Sequence, residues 1–148
     1  MLWSVTPQAT VGIDLEPFKE QFPAALSHGR APALATASSD GVPDVGPKGS
    51  VFVVDKDHLA YLERTHRDHL ANLKQNPHVA VMFYDREAAI PMARFFGVAE
   101  LLESGAERDQ LRSQVIADEL NKDPDNKAVM VKIRVDKIVT PRGTFTRS

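Results

Sequence analysis

The most regular pattern of apolar and polar positions lies between residues 129 and 136. Aliphatic side chains occupy every second position there, and this alternation predicts a β-strand with one buried face and one solvated face. We expect inward side chains at Val129, Val131, Ile133 and Val135, and solvated ones at Met130, Lys132, Arg134 and Asp136. The run His78–Tyr84 is apolar on both faces, which is typical of a central strand covered on each side.

Shorter apolar runs separated by polar turns predict a meander of antiparallel strands. The Asp40-Gly41 pair between two extended stretches favours a tight hairpin. Gly97 lies inside the longest run, where a glycine indicates a bulge or the close approach of another group. The predicted strands of this meander are Ala33–Ser38, Val42–Gly46, Val51–Val54, His58–Leu62 and Met92–Leu102.

Three helices are predicted between these strands. Asp14–His28 carries apolar residues four apart, with Asp14 as its N-cap, and Pro23 is expected to kink or split it. Arg67–Asn76 ends before a proline. The sequence Ser104-Gly105-Ala106-Glu107 resembles a capping box that opens a helix reaching Asn121.

These elements favour a mainly β fold of the α+β kind. Six or seven strands follow one another in hairpin order and do not alternate with helices, so a small antiparallel barrel is favoured over a doubly wound parallel sheet. A chain of 148 residues is accommodated by one core, and we expect a single domain over residues 1–148.

Composition excludes several classes of function. The net charge of −2, with basic and acidic residues interspersed, argues against nucleic acid as a partner. The sequence contains no cysteine, which excludes disulfides, thiolate nucleophiles and cysteine-ligated metals. Met1-Leu2-Trp3-Ser4 does not resemble a signal peptide, and the longest apolar run, Val79–Tyr84, is too short to cross a bilayer. We therefore expect a cytoplasmic protein without membrane contact.

Several familiar kinds of site are also disfavoured. Lys48 follows two glycines, but Pro47 removes an amide and a strand follows, so the stretch is not a phosphate-binding P-loop. His66 and His69 lie three residues apart, which by itself is a weak metal signal, and we expect both on the solvated start of a helix. The serines and aspartates occupy turns and caps, so no nucleophile with an adjacent base is predicted.

A set of cations remains, each placed near the end of a strand or within one. In an antiparallel barrel such positions can converge on one anion, and a phosphate monoester is the natural ligand. The alternative is that each is an ordinary surface charge. The set comprises Lys48, Arg64, Arg67 and Arg94, with the hydroxyl of Thr65 beside them.

The order of these residues resembles a known family. The resemblance is carried by the stretches "ASSDGVPDVGPKGSVFVVDKDHLAYLERTHRDHLANLKQNPHVAVMFYD", "MARFFGVAELL" and "VDKIVTPRG". Their telling features are the Asp-Gly hairpin, the lysine before the third strand, "NLKQNP" after a cation-bearing helix start, and an arginine three residues before a glycine. Together they resemble the pyridoxamine 5′-phosphate oxidase-like FMN-binding split barrels.

The resemblance implies a six-stranded antiparallel Greek-key split barrel that forms a homodimer, with FMN in each of two clefts between the subunits. It assigns the FMN phosphate to Lys48, Thr65, Arg67 and Arg94, with His69 standing where many relatives carry a lysine. It also assigns the edge of the flavin ring to two stretches of backbone, which are Pro47, Lys48, Gly49, Ser50 and Val51, and Leu62, Glu63, Arg64 and Thr65. Homodimerisation is independently indicated by the doubly apolar strand Val79–Tyr84.

The C-terminal part departs from the oxidase itself. The oxidase holds pyridoxal phosphate with a late segment that contains tryptophan and arginine, whereas the only tryptophan here is Trp3. The resemblance therefore implies an oxidase-related protein, an FMN-dependent oxidoreductase of unknown substrate that acts on a small molecule or takes electrons from a nicotinamide donor. The alternatives are a non-enzymatic flavin or haem binder that stores or senses its cofactor, and a dimeric scaffold with an empty cleft.

Overall fold

The computed structural model describes residues 9–147, and both the stretch Met1-Leu2-Trp3-Ser4 and the tryptophan within it lie outside the described residues. Nine strands and five short helices make up the described chain. The strands are β1 Ala9–Val11, β2 Ala33–Ala37, β3 Pro43–Pro47, β4 Phe52–Asp55, β5 His58–Glu63, β6 His78–Tyr84, β7 Met92–Leu102, β8 Val129–Thr140 and β9 Gly143–Thr146. The helices are a 3₁₀ turn Glu16–Phe18, α1 Gln21–Ser27, α2 Asp68–Gln75, α3 Ala106–Arg112 and α4 Ala117–Leu120.

All nine strands belong to one sheet, in the order β1-β9-β8-β7-β6-β2-β3, with β5 also paired to β8 and β4 to β5. The long strand β8 organises it. One edge of β8 pairs with β7, while the other edge is divided between β5, along residues 129–134, and β9, along residues 137–140. Only the β1–β9 pair is parallel among these strands. The antiparallel split barrel is confirmed, with nine strands instead of six or seven.

The barrel interior is closed by the N-terminal helices. Phe18 and Phe22 project onto the sheet and pack against Phe83 of β6 and Phe95 of β7, with ring centroids 4.9 to 6.5 Å apart. Three of these four contacts are edge-to-face, a geometry that contributes about 0.5–1.5 kcal/mol per pair beyond burial. Phe18 and Phe22, which lie four residues apart as the predicted helical spacing requires, thus close the barrel interior.

A second layer covers part of the outer face of the sheet. Met130, expected in solvent, is fully buried and belongs to a small cluster with Leu62 of β5, Leu111 of α3 and Val115, which follows α3. The expectation was wrong because a two-residue period shows which positions share a face but not whether a helix covers it. No helix among residues 9–147 has the length and apolar character needed to span a membrane.

Two helix predictions need correction. Residues 14–28 form two separate helices, and the break precedes Pro23, which sits in the first turn of α1. Amides of a first turn have no intrahelical partner, so a proline is tolerated there without a kink. The capping box is not formed, because Gly105, at φ 108°, occupies the N-cap of α3 without a side-chain cap, and the predicted long helix is divided into α3 and α4.

Candidate functional site

Eight of the twelve predicted cofactor residues line one cleft. Its cavity volume is about 140 Å³, and its walls come from the end of β3 and the end of β5, with one residue from α4. The lining residues are Pro47, Lys48, Gly49, Ser50, Leu62, Glu63, Arg64, Thr65 and Glu119. The two stretches are 15 residues apart in the chain and meet because β4 and β5 fold back as a hairpin between them.

Ser50 fastens the two walls together. Its hydroxyl accepts a hydrogen bond from the Leu62 amide at 2.9 Å and lies 3.4 Å from the Leu62 carbonyl oxygen, to which it donates. Both residues are buried, so these bonds form in a region of low dielectric constant. The side chain of Ser50 therefore links the two walls of the cleft through the backbone of Leu62.

A buried ion pair in the cleft joins Lys48 to Glu63. The ammonium nitrogen of Lys48 lies 3.0 Å from Oε2 of Glu63. The lysine side chain is 13% exposed and the glutamate side chain 0% exposed, so the carboxylate has no contact with solvent. The charge of Lys48 is thus compensated by a carboxylate of the same chain.

Two hydroxyl groups complete the shell of Glu63. Tyr61, two residues earlier on the same face of β5, donates to Oε1 at 3.1 Å, and Thr65 donates to Oε2 at 3.1 Å. Burial, together with the nearby charge of Glu63, raises the pKa of Tyr61, which stays protonated and remains a donor. Both carboxylate oxygens are hydrogen-bonded, as a buried charge requires.

The opposite wall carries a second pair of charges. Glu119 of α4 lies 3.9 Å from Arg64 and 2.7 Å from Lys122. Its carboxylate also covers Gly49, since a Cβ atom at that position would come within 3.0 Å of Oε2. The sequence analysis missed Glu119, because a glutamate on a short helix far along the chain carries no local pattern that links it to residues 47–65.

Val51 faces away from this cleft. Its side chain is buried and lines a neighbouring cavity with Gly49 and Ser50, closed on the far side by Pro23 and Ile116. Residues 49 and 50 form the partition between the two cavities.

Arg67 and His69 lie at the start of α2, outside the cleft lining. Arg67 is the exposed N-cap residue. His69 is only 10% exposed, with Nδ1 2.8 Å from the Thr36 hydroxyl and Nε2 3.8 Å from Asp44. Asn72 donates to the same hydroxyl at 3.0 Å. The expectation of a solvated His69 was wrong, because α2 packs onto the hairpin of β2 and β3 through these contacts.

Arg94 lies on the outer face of the sheet. Its guanidinium is 5.5 Å from the centroid of the Phe96 ring, which Lys137 approaches at 4.6 Å. The strand register aligns Arg94 with Met82, Ala33 and Pro47 in one row across four strands. Three strand spacings separate Pro47 from Arg94, a distance of about 14 Å. Lys48 is the next residue after Pro47 and sends its side chain to Glu63 instead of toward this row.

Two groups of side chains among residues 9–147 bring three potential metal ligands together, namely His28, Asp85 and Glu87, and Asp55, Asp57 and His58. Neither contains His66 or His69. In the first group Arg30 already binds the carboxylates, at 2.6 Å from Asp85 and 3.1 Å from Glu87. Burial alone raises the pKa of Asp85, but hydrogen bonds from the backbone amide of Glu87 and from the side chains of Arg30 and His28 outweigh burial and lower that pKa.

Comparison with known sequences decides the family. Residues 18–140 match the pyridoxamine 5′-phosphate oxidase family. The chain belongs to this family. The matched region contains all twelve residues of this chain that were predicted to bind the cofactor. No curated protein matches the sequence.

Several solved structures have a similar fold. A candidate pyridoxamine 5′-phosphate oxidase of Lactobacillus delbrueckii is 28% identical, with a TM-score of 0.63 over 81% of this chain and 90% of that one. An FMN-binding protein of Syntrophomonas wolfei is 15% identical, with a TM-score of 0.58 over 86% and 90% of the two chains. An FAD-binding protein of Mesorhizobium loti is 21% identical, with a TM-score of 0.59 over 80% and 88%.

Proposed function

We propose that this protein binds FMN at the cleft between β3 and β5 and acts as an oxidoreductase on a substrate still to be identified. The observation that carries the proposal is the meeting of eight predicted cofactor residues in one cleft. Family membership and the FMN- and FAD-binding proteins that share the fold support a flavin as the cofactor. FMN supplies hydride or electron transfer when bound, and the protein supplies binding and orientation.

The cleft suits the edge of a flat ring. Pro47 and Leu62 add apolar surface to its lining, and Gly49 between them carries no side chain, so the Glu119 carboxylate lies beside its backbone. A volume of about 140 Å³ is well below the roughly 300–1,000 Å³ of pockets that enclose a whole ligand. One protomer therefore offers a partial site, which a second wall has to complete.

The phosphate end is proposed to bind Arg67 and Arg94, both of which are exposed. Arg67 and Arg94 have no carboxylate within ion-pair distance among residues 9–147, whereas Lys48 is already paired with Glu63. A phosphate monoester carries nearly two negative charges at neutral pH, and each charge-assisted hydrogen bond contributes about 1.5–3 kcal/mol. The arginines are thus better available to an anion than the lysine.

The second wall is proposed to be another copy of the chain. The inner face of β6 is buried in the barrel, but on its outer face Met82 is 45% exposed and Tyr84 51% exposed. Met92 on the neighbouring strand β7 and Val45 on β3, which lies beyond β2, are further exposed apolar residues of this sheet. Exposed apolar residues on one sheet face are typical of a protein interface, and a self-complementary face forms a two-fold dimer. Arg94 lies on this same face and would be located at the interface between the two copies.

Quenching of FMN fluorescence during titration with purified protein tests cofactor binding. We expect saturable quenching at micromolar protein, weakened about tenfold or more in Arg67→Ala and Arg94→Ala. Arg86→Ala is the matched control, because Arg86 is an exposed arginine in the β6–β7 loop that lies outside the proposed site. A wild-type protein that leaves FMN fluorescence unchanged contradicts the proposal.

Anaerobic mixing of the FMN-loaded protein with NADH or NADPH distinguishes an enzyme from a binding protein. Bleaching of the flavin absorbance over repeated turnovers supports the oxidoreductase. A loaded protein that neither nicotinamide reduces supports a role in flavin storage or sensing. A purified protein with the absorbance spectrum of haem would show that haem, and not FMN, is the bound cofactor.

A further inference from the structure

Glu63 is a charged residue in a fully buried position of the barrel. Its side chain is 0% exposed at the end of β5, on the same face as the core residue Tyr61. A buried ion pair adds little net stability, because the loss of hydration offsets the attraction between the charges. The ion pair of Glu63 with Lys48 lines the proposed cofactor cleft, where its charges act on a bound group.

The charges that line the cleft balance one another. The lining contains two cations and two carboxylates, which pair as Lys48 with Glu63 at 3.0 Å and Arg64 with Glu119 at 3.9 Å. Glu119 also binds Lys122, which lies outside the lining, at 2.7 Å. The Lys48–Glu63 pair therefore offers a doubly charged phosphate no net attraction. An uncharged ring can use its hydrogen-bonding groups and backbone edges without facing an excess charge.

We infer that Glu63 is a positioning residue that holds Lys48 in place and cancels its charge, so that the cleft accepts the uncharged oxidised ring of the cofactor and gives little support to added negative charge on that ring. The inference rests on the proposed binding of FMN. It assigns the side chain of Glu63 a role beyond the backbone contact that the resemblance implied.

The consequence concerns the reduction potential. A hydride brings negative charge to an uncharged ring unless a proton follows, and an unbalanced ammonium nearby stabilises that charge. Glu63→Gln keeps the shape of the side chain but leaves Lys48 uncompensated, which favours the reduced form. Lys48→Met keeps the length of the lysine stem but leaves Glu63 uncompensated, which disfavours the reduced form.

The test is the midpoint potential of FMN bound to each variant, measured by anaerobic titration against a reference dye. For Glu63→Gln we expect the reduced cofactor to gain at least tenfold in affinity relative to the oxidised one, which for a two-electron couple raises the potential by about 30 mV. Lys48→Met should shift the potential in the opposite direction. The double variant Lys48→Met/Glu63→Gln removes both charges and should return close to the wild-type value.

Glu107→Gln is the matched control. Glu107 is an exposed carboxylate that binds Lys132 at 2.7 Å, away from the cleft, so the same chemical change there should leave the potential unchanged. The inference is overturned if Glu63→Gln and Lys48→Met bind FMN with the wild-type potential, or if both shift it in the same direction. A wild-type protein that binds no FMN overturns the proposed function first, so the two failures are distinguishable. Should a single variant fail to fold, the double variant decides, since a potential far from wild type contradicts charge cancellation.

Discussion

Gly97 of β7 lies directly against the backbone of Arg134 on β8. A Cβ atom at position 97 would overlap the carbonyl oxygen of Arg134 and press on the Ile133 side chain. The register between the two strands shifts at Phe96–Gly97, so the predicted bulge and the predicted close approach are both present and have the same cause. Only a residue without a side chain lets the two longest strands keep their pairing through this bulge.

Gly97→Ala should therefore destabilise the protein strongly. The group in its path is backbone, which cannot move without breaking the β7–β8 ladder, and we expect a loss of about 3 kcal/mol in the free energy of unfolding. Gly49→Ala is the control, because the added methyl group there meets only the Glu119 carboxylate, the end of a flexible side chain. Urea denaturation of both variants checks the difference, and equal losses would contradict the proposed cause.

The Lys48–Glu63 pair predicts strongly non-additive effects on stability. Lys48→Met should cost about 3–5 kcal/mol, since it leaves a buried carboxylate without its counter-charge. The double variant Lys48→Met/Glu63→Gln removes the charge as well and should recover most of that loss. A double-mutant cycle by chemical denaturation measures the coupling. Additive effects of the two substitutions would show that the ion pair is not formed in solution.

Asp123 predicts a dependence of stability on pH. Burial alone raises the pKa of Asp123, but hydrogen bonds from the Lys127 and Ala128 amides and from Arg112 outweigh it and lower the pKa. The ionised carboxylate therefore stabilises the fold fully above its unfolded pKa of about 4, and that contribution is lost as the pH falls through the lower pKa of the folded state.

Asp123→Ala should lower the free energy of unfolding by about 2 kcal/mol at pH 7, and the difference from wild type should narrow below about pH 4. Asp125→Ala is the control, because Asp125 is an exposed neighbour in the same loop. Thermal unfolding across this pH range checks both variants. A difference between Asp123→Ala and wild type that stays constant with pH would exclude the carboxylate charge as its source.

The exposed face of β6 predicts a dimer in solution. Met82→Glu places a charge in the centre of the proposed interface and should shift light scattering at micromolar concentration from the mass of two chains to that of one. Ile116→Glu introduces the same charge at an apolar residue that is 41% exposed beside α4, and should leave the mass unchanged. A wild-type monomer at these concentrations would contradict the interface and the second wall of the cofactor site together.

The strands were largely predictable because their information is local. Alternation in β8, the doubly apolar run of β6 and the Asp-Gly turn between β2 and β3 each depend on neighbouring residues, and the structure forms all three elements. Two features escaped this kind of reasoning. The strands β1 and β9 are short and pair with each other across the whole length of the chain, and the burial of Met130 depends on helices that follow a different strand.

The sequence by itself determined the barrel, because hydrophobic periodicity and turn residues are local properties of the chain. The order of residues along the chain also determined the family, and through that resemblance the grouping of residues 47–50 with residues 62–65. Tertiary structure alone decided the electrostatics of the site. Lys48 points to Glu63 while Arg94 points to the outer face, and Glu119 arrives from a helix more than fifty residues later. Charge pairing depends on distances of 3 to 4 Å between side chains, and spacing along a sequence does not encode which cation meets which carboxylate.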